Sequence, residues 1–365
     1  MTPKITREAA RKILSALPRC SLAYLPTPFE PLKVLSERLG VNLWIKRDDQ
    51  TGLALGGNKA RKLEFVMADA IELGADSVIT WAGLQSNWCR QLAAASCKLG
   101  LRPILFLFKR NWLPDGFDGN YLLDFIADAE IHVVDLHRDQ DFMLLEEVED
   151  CIGEVVERER KAGRTPYVAP IGGSLVEGSM SRPLGALGYV NAYVELLDQL
   201  DEQGVRMDSI IFATGSGSTQ AGLLVGAQLF SLGTRVVGIS VGDDAATMTR
   251  YVEDIAHQTM REFVFGRPIP ASDIIVLDSY MGEGYGMLDR KSSEAIRLMA
   301  SAEGIYLDPV YSGKAWAGLL ELISLGYFRK GENIVFLHTG GSPAIYPYRE
   351  DFRNHLRQHP QSVGV

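Results

Sequence analysis

From about residue 42 onward, short runs rich in Val, Ile, Leu and Phe alternate with longer stretches whose apolar residues recur every three or four positions. The short runs predict β-strands at residues 43–46, 77–81, 103–108, 131–134, 167–170, 209–214, 235–239, 274–277 and 333–337. The longer stretches predict helices at residues 62–73, 88–99, 142–161, 185–203, 221–230, 290–302 and 314–325. Because repeated strand-then-helix units require a mostly parallel sheet covered by helices, we predict an α/β fold.

The first twenty residues are predicted to form an amphipathic helix, because Ile5, Ala9, Ile13 and Leu17 share one face. They lack the apolar run of a secretory signal, and the chain has no stretch that approaches the roughly 18 apolar residues of a spanning helix. We therefore expect a cytoplasmic protein without a membrane partner.

Glycine-rich breaks at residues 52–57 and 171–174 divide the strand and helix series into unequal parts. Four strand–helix units lie between the breaks and predict a small domain of residues 62–174. This domain would be inserted into a large domain made of residues 1–61 and 175–365. We expect the ligand site in the cleft between the two.

Composition and charge exclude several classes of partner and site. There are 37 basic and 46 acidic residues, a net charge of −9, so the protein should repel nucleic acid and anionic lipid. The four cysteines, Cys20, Cys89, Cys97 and Cys151, show no CxxC spacing and the histidines are scattered. The sequence therefore predicts neither a disulfide framework nor a metal site.

A candidate reactive amine lies in the segment KRDDQTGLALGGNKARKLE, residues 46–64. Lys59 follows Gly56, Gly57 and Asn58 at a helix start, where the positive end of the helix dipole lowers an amine pKa. A neutral amine is what Schiff-base chemistry requires. The alternative is an ordinary solvated lysine in a loop.

A candidate phosphate site follows the apolar strand at residues 209–214. The run ATGSGSTQAG, residues 213–222, opens a helix, and its small residues let backbone N–H groups converge on an anion. A P-loop lysine is absent and the pattern GxGxxG is met only loosely, so a monophosphate is favoured over a nucleotide. The alternative is a plain Gly/Ser turn.

Two further segments supply candidate substrate-binding groups. In WAGLQSNWCRQ, residues 81–91, Ser86 and Asn87 could cap the next helix or could bind a substrate carboxylate. Cys89 is either a reactive thiol or a buried apolar filler. Tyr285 and Tyr311 stand in the Gly-rich turns GEGYG and LDPVYSGK, where glycines free a phenol from core packing.

Together these segments resemble the pyridoxal 5′-phosphate (PLP) dependent enzymes of fold type II. Within them they resemble the branch of 1-aminocyclopropane-1-carboxylate deaminase, D-cysteine desulfhydrase and L-cysteate sulfo-lyase. The resemblance runs from about Leu25 to Tyr348 and includes KRDD, GGNKxRKLE, QSNxxRQ, GYG, LDPVYxGK and HTGGxPA. It implies a tryptophan synthase β-like fold with two open twisted sheets, a PLP cofactor, a small amino-acid substrate and a homodimer.

The resemblance also implies roles for individual residues. Lys59 would form the Schiff base with PLP, Asn58 would bond its 3′-oxygen, and Ser312 or Thr339 would meet its pyridine nitrogen. The phosphate would be held by Ser216, Gly217, Ser218 and Thr219. Gln85, Ser86, Asn87 and Trp88 would face the substrate, with Ser86, Tyr285 and Tyr311 assisting proton transfer by Lys59.

Two departures from the family pattern bear on the substrate. The ring-opening deaminases have Glu where this chain has Ser312 and Leu where it has Thr339, which argues against opening of a cyclopropane. Desulfhydrase-like members usually have His where this chain has Trp88. We favour Thr339 over Ser312 at the pyridine nitrogen, because its turn follows the buried strand at residues 334–337.

The resemblance therefore predicts a PLP-dependent carbon–sulfur lyase acting on D-cysteine or L-cysteate. A deaminase of a cyclopropane or hydroxy amino acid is the alternative within the same chemistry. A PLP-binding protein without turnover and a NAD-binding protein are alternatives from other classes.

Overall fold

The computed structural model describes residues 5–136, 143–230, 233–263 and 269–356. The strands within these ranges are β1 Phe29–Pro31, β2 Asn42–Arg47, β3 Ser77–Gly83, β4 Arg102–Arg110, β5 Glu130–Leu136, β6 Pro166–Val168, β7 Ser209–Thr214, β8 Arg235–Ser240, β9 Ile275–Leu277 and β10 Asn333–His338. The helices are α1 Arg7–Ser15, α2 Lys33–Leu39, α3 Lys59–Glu72, α4 Asn87–Lys98, α5 Gly119–Ile126, α6 Glu149–Lys161, α7 Leu184–Gln203, α8 Ser218–Phe230, α9 Ala245–Met260, α10 Arg290–Glu303, α11 Ser312–Ser324 and α12 Arg349–His355.

The strands form two separate sheets. The larger has the order β1-β2-β10-β7-β8-β9 and the smaller has the order β5-β4-β3-β6. All described strand pairs are parallel except β1 with β2. The prediction of an α/β fold with two mostly parallel sheets flanked by helices is confirmed. The domain boundaries after residues 61 and 174 stay a prediction.

Interior strands and helices are buried on all sides, which explains their continuous apolar runs. Every residue of β7 is buried, as a parallel strand covered on both faces requires. The residues of α3 from Ala60 to Ala68 are buried as well, so that helix lies inside the molecule. One large apolar cluster includes residues of α3, α4, α7 and α8, and α7 packs against both α3 and α8.

The N-terminal helix packs on a slightly different face from the predicted one. Ala10 and Leu14 are its most buried residues, while Ala9, Ile13 and Leu17 are half-buried around them. The Thr6 hydroxyl accepts a hydrogen bond from the Ala9 amide at 3.1 Å and caps the helix.

The sequence pattern missed β1, α2, α5, α9 and α12. Prediction of a single helix at residues 142–161 was wrong, since residues 145–147 form a separate 3₁₀ turn and α6 begins only at Glu149. Phe142 lies outside the described residues. None of the helices in the described ranges combines the length and apolar character needed to span a bilayer.

Candidate active site

A cavity of about 400 Å³ lies between the two sheets, lined by the starts of α3, α4 and α8 and by the turn after β10. Eleven sequence-predicted site residues border it: Asn58, Lys59, Ser86, Asn87, Trp88, Ser216, Gly217, Thr219, Tyr285, Tyr311 and Thr339. Three others, Gln85, Ser218 and Ser312, are absent from its lining. Elsewhere in the described ranges, no three His, Cys, Asp or Glu side chains gather as a metal site would require.

Lys59 is the first residue of α3, and its position depends on the glycine pair before it. Gly57 has φ +127°, and a Cβ there would lie 2.4 Å from the Gln91 amide nitrogen. The Lys59 ammonium donates to Asn58 Oδ1 at 2.9 Å, and Asn58 Nδ2 donates to the Thr219 hydroxyl at 3.3 Å. These contacts connect the start of α3 to the start of α8.

Burial lowers the pKa of Lys59 to about 8. The Asp308 carboxylate opposes this shift and the Arg90 guanidinium adds to it. Roughly one amine in ten is then neutral at pH 7. Lys59 therefore has the neutral fraction that attack on a carbonyl requires.

Lys62 lies one helical turn beyond Lys59 and also borders the cavity. Its Nζ donates to the Ser218 hydroxyl at 2.8 Å, and no carboxylate pairs with it among the described residues. Burial, reinforced by the neighbouring Lys59, holds the pKa of Lys62 well below its usual value. A buried amine without an anionic partner fits a site built for a phosphate.

The loop between β7 and α8 supplies the rest of an anion site. Gly217 has φ +83°, which lets the backbone turn into the N-terminus of α8, and Ser216 and Thr219 border the cavity. Together with Lys62, this loop fits the phosphate of PLP. Such a site combines helix N–H groups, hydroxyls and one cation.

The expectation that the Ser218 side chain faces the ligand needs correction. Its hydroxyl donates to the Gly172 carbonyl at 3.1 Å and accepts from Ser174 at 2.9 Å and from Lys62. These partners hold the fully buried side chain away from the cavity. Ser218 thus positions Lys62, and only its main chain belongs to the helix end.

Ser86 caps α4, as one of the two interpretations of its segment predicted. Its Oγ accepts from the amides of Trp88 at 3.1 Å and Cys89 at 3.2 Å. Because these bonds use the oxygen as acceptor, the hydroxyl proton can turn toward the cavity. Asn87 borders the cavity beside it.

Trp88 forms a fixed apolar wall. Its indole N–H donates to the Thr80 hydroxyl at 2.8 Å, and that hydroxyl donates to the Ala169 carbonyl at 2.7 Å. Cys89 lies behind this wall, and burial raises the pKa of its thiol well above the usual value. The buried-filler interpretation of Cys89 therefore holds.

Gln85 does not line the cavity, although the sequence analysis assigned it to the substrate. Its Nε2 donates to the Asp118 carbonyl at 3.1 Å, and its Oε1 accepts from the Asn120 amide at 2.8 Å. Both ends of the Gln85 side-chain amide are thus hydrogen-bonded to the start of α5.

The two tyrosines meet at the cavity. Their hydroxyl oxygens lie 2.6 Å apart, and their rings are edge-to-face at 74° with centroids 6.0 Å apart. Burial raises the pKa of both phenols, so both keep their protons near neutral pH. The Lys59 Nζ lies 5.8 Å from the centre of the Tyr311 ring.

The structure separates the two hydroxyls proposed for the pyridine nitrogen. The Ser312 Oγ donates to Asp308 Oδ1 at 2.6 Å and accepts from the Asp308 amide at 2.8 Å, and its residue is buried off the cavity. Thr339 borders the cavity. Of the two, only Thr339 can reach a ligand there.

Lys62 and Asp308 were missed by the sequence analysis. The sequence did contain an indication for Lys62, because it lies three residues after Lys59 and residues three apart share a helix face. Asp308 is buried, and its carboxylate accepts from the amides of Val310, Tyr311 and Ser312 at 2.7 to 3.0 Å. It holds the turn that presents Tyr311.

Two other buried lysines are engaged elsewhere. Lys46 donates to Glu195 at 2.5 Å and to the Thr27 carbonyl at 2.7 Å. Burial lowers the pKa of Lys314 to about 8, as for Lys59, but Lys314 donates to the carbonyls of Met281 and Gly284 at 2.6 and 2.7 Å. Neither lines the cavity.

Comparison with known proteins matches residues 20–340 to the model of a family described as pyridoxal-phosphate dependent enzymes. A protein of Burkholderia lata named 1-aminocyclopropane-1-carboxylate deaminase is 38% identical over 93% of this chain and 99% of its own length. One of Serratia proteamaculans named D-cysteine desulfhydrase is also 38% identical, over 92% of this chain and 97% of its own. A solved structure of a homologue of the former enzyme shares 36% identity, covers 97% of this chain and 100% of that chain, and has a TM-score of 0.83.

Proposed function

The chain belongs to the family of pyridoxal-phosphate dependent enzymes, and from that premise we propose that it is a carbon–sulfur lyase. It would catalyse α,β-elimination from a small β-substituted amino acid such as D-cysteine or L-cysteate. The products would be pyruvate, ammonia and sulfide or sulfite. Both the desulfhydrase name of one relative and the deaminase name of another are compatible with its family chemistry.

When bound, PLP supplies an electron sink for the negative charge left at Cα after proton removal. Lys59 would hold the group covalently, and Lys62 with the loop before α8 would hold its phosphate. Asn58 and Thr339 would hydrogen-bond its ring. The supporting observations are the lowered pKa of Lys59, the Lys62 amine, which has no carboxylate partner among the described residues, and the position of Thr339 on the cavity wall.

The start of α4 would bind the substrate carboxylate. The Ser86 hydroxyl and the Asn87 amide border the cavity there, and the positive end of the helix dipole favours an anion. Trp88 also borders the cavity there. The carboxylate would thus be oriented before any proton moves.

Proton transfer would fall to Lys59 and the tyrosine pair. Lys59 Nζ would remove the Cα proton. As the Cβ–S bond breaks with its electron pair on sulfur, the Tyr285–Tyr311 pair would donate a proton to the departing sulfur. Hydrolysis of the released enamine gives pyruvate and ammonia.

The observation that carries the choice of reaction is Thr339 on the cavity wall, with Ser312 engaged by Asp308. A hydroxyl can hydrogen-bond a pyridine nitrogen but cannot pair with its protonated form as a carboxylate does. The resulting electron sink is weak. It suffices when thiolate or sulfite leaves from Cβ, and it is poorly suited to opening a cyclopropane.

The test is a keto-acid release assay of the holoenzyme over D- and L-cysteine, D- and L-cysteate, serine and 1-aminocyclopropane-1-carboxylate, with Lys59→Ala as the inactive control. Pyruvate from a cysteine or cysteate enantiomer supports the proposal. Efficient 2-oxobutyrate release from the cyclopropane acid would instead support the deaminase. A yellow protein that releases no keto acid would be a PLP-binding protein without turnover.

The homodimer and the cytoplasmic location stay predictions. Light scattering after gel filtration would test the first by giving the mass of the assembly directly. The chain mass is 40.2 kDa, so a dimer should give roughly twice that value.

A further inference from the structure

Asn120, the second residue of α5, is fully buried and reaches the turn that precedes α4. Its Nδ2 donates to the Gln85 carbonyl at 2.8 Å and to Asn87 Oδ1 at 2.9 Å. Its main-chain amide donates to Gln85 Oε1 at 2.8 Å. One side chain outside the cavity lining therefore contacts the residue proposed to bind the substrate carboxylate.

Main-chain groups fix the direction of every amide in this chain of contacts. The Gln85 carbonyl can only accept, so the Asn120 nitrogen must face it. The same nitrogen then requires the oxygen of the Asn87 amide. Asn87 Nδ2 is consequently turned away from Asn120, and no acceptor pairs with it among the described residues.

The place that Asn87 Nδ2 occupies is shaped by a glycine. A Cβ on Gly341, which has φ +101°, would lie 2.9 Å from this nitrogen. The missing side chain leaves room for the amide beside the turn that also carries Thr339. The Asn87 nitrogen thus lies next to Gly341, in the turn that carries the cavity residue Thr339.

The start of α5 is itself anchored, which makes Asn120 a rigid support. Gly119 has φ +58°, and a Cβ there would lie 2.6 Å from Gln85 Oε1 and 2.9 Å from the Pro343 carbonyl. The residue before it, Asp118, accepts from Gln85 Nε2 and pairs with Arg349 at 2.7 Å. Gln85 and the segment around Pro343 therefore hold the start of α5, and with it Asn120, in place.

We propose that Asn120 is a positioning residue that fixes the Asn87 amide with its nitrogen toward the substrate carboxylate. This inference rests on the proposed function, because it needs an amino-acid carboxylate at the start of α4. Asn120 would set the affinity for that carboxylate without touching the substrate. It would leave the binding of the substrate amine unchanged.

The test compares two probes that differ only in the carboxylate. Alanine carries the carboxylate but no β-leaving group, and alaninol has a hydroxymethyl group in its place. Binding of each enantiomer to the holoenzyme is titrated by the change in cofactor absorbance. In Asn120→Asp the ionised side chain can only accept, so the Asn87 amide must rotate and turn its oxygen toward the carboxylate. Alanine affinity should fall about ten- to a hundredfold, the usual range for a bond to a charged group, and alaninol affinity should stay within about twofold.

Two further variants distinguish a loss of positioning from a loss of folding. Asn120→Ala removes the hydrogen bonds of the side chain without adding a charge. It should lower the affinity for alanine about three- to tenfold and leave the affinity for alaninol unchanged. Asn42→Asp is the matched control, because its Nδ2 also donates to a main-chain carbonyl, that of Gly331 at 3.2 Å, but at an exposed site. It should change neither affinity.

Equal losses for alanine and alaninol in both Asn120 variants would overturn the positioning role and indicate a purely structural one. Unchanged alanine affinity in both would overturn it as well. An unmodified holoenzyme that binds neither enantiomer of alanine would instead contradict the proposed function, and the inference would fall with it.

Discussion

The hydroxyl oxygens of Tyr285 and Tyr311 lie 2.6 Å apart at the wall of the cavity, although the two residues come from separate Gly-rich turns. One phenol must donate to the other, which leaves one proton of the pair for a ligand. Because burial keeps both phenols protonated, the pair is built to donate a proton rather than to remove one.

Replacing either tyrosine with phenylalanine should break this donor pair. We expect Tyr285→Phe and Tyr311→Phe each to lower kcat about a hundredfold or more, the lower end of the usual contribution of a general acid, with the cofactor colour retained. The double variant should be little worse than either single one, since the two groups act as a unit. Tyr306→Phe, at an exposed position, is the control. Full activity of both single variants would show that the turns carrying Tyr285 and Tyr311 have only a structural role.

The lowered pKa of Lys59 predicts how the apoprotein recaptures PLP. The neutral amine is the reactive form, and the pKa of Lys59 is about 8 instead of 10.5. The rate of reconstitution should therefore rise about tenfold per pH unit below pH 8 and level off above it. Stopped-flow absorbance at several pH values measures it. A rate that still climbs steeply between pH 9 and pH 10 would contradict the shift.

The same lysine should carry the label after borohydride reduction of the holoenzyme and peptide mapping. Lys314 is a demanding comparison, because burial gives it a similar pKa but two carbonyls engage its ammonium off the cavity. A pyridoxyl group on Lys314 or Lys62 would refute the assignment of Lys59.

Lys62→Met should lower the free energy of PLP binding by more than it lowers the free energy of unfolding. The change removes a cation that contacts Ser218 at the start of α8, and a charged hydrogen bond to phosphate is worth about 1.5–3 kcal/mol. We expect the Kd for PLP to rise about ten- to a hundredfold, as measured by equilibrium dialysis. Lys314→Met serves as the control for loss of a buried lysine and should keep its affinity within about threefold. Equal losses in the two variants would argue against a phosphate contact.

Thr339→Val keeps the shape of the side chain and removes the hydroxyl. If Thr339 meets the pyridine nitrogen, this variant should lose about tenfold in turnover and shift the cofactor absorbance, as loss of one neutral hydrogen bond implies. Ser312→Ala should leave the absorbance unchanged and lower the free energy of unfolding by about 1 kcal/mol, because its hydroxyl serves the Asp308 turn. If Ser312→Ala shifts the cofactor absorbance and Thr339→Val does not, Ser312 is the residue that contacts the pyridine nitrogen.

Local backbone demands explain why the sequence was sufficient to predict much of the site. The glycine pair before Lys59 and the loop around Gly217 need conformations that few other residues adopt, so their positions are visible in the residue order. The alternation of strands and helices likewise predicted the parallel sheets, because each unit must bury its apolar side in the same way. Short and half-exposed elements such as α5 carry too few apolar residues for a clear period.

The direction of individual side chains was decided only by the tertiary structure. Ser218 faces Lys62, 156 positions away, and Gln85 is engaged by Asn120, 35 positions away, so neither reaches the cavity that its motif suggested. A buried polar group must find a hydrogen-bond partner, and the nearest partner is set by how distant segments pack. The sequence by itself therefore determined which Gly-rich turns border the cavity. The packing of α3 and α8 on the same helix, α7, and of α4 against α5 determined which side chains face the cavity.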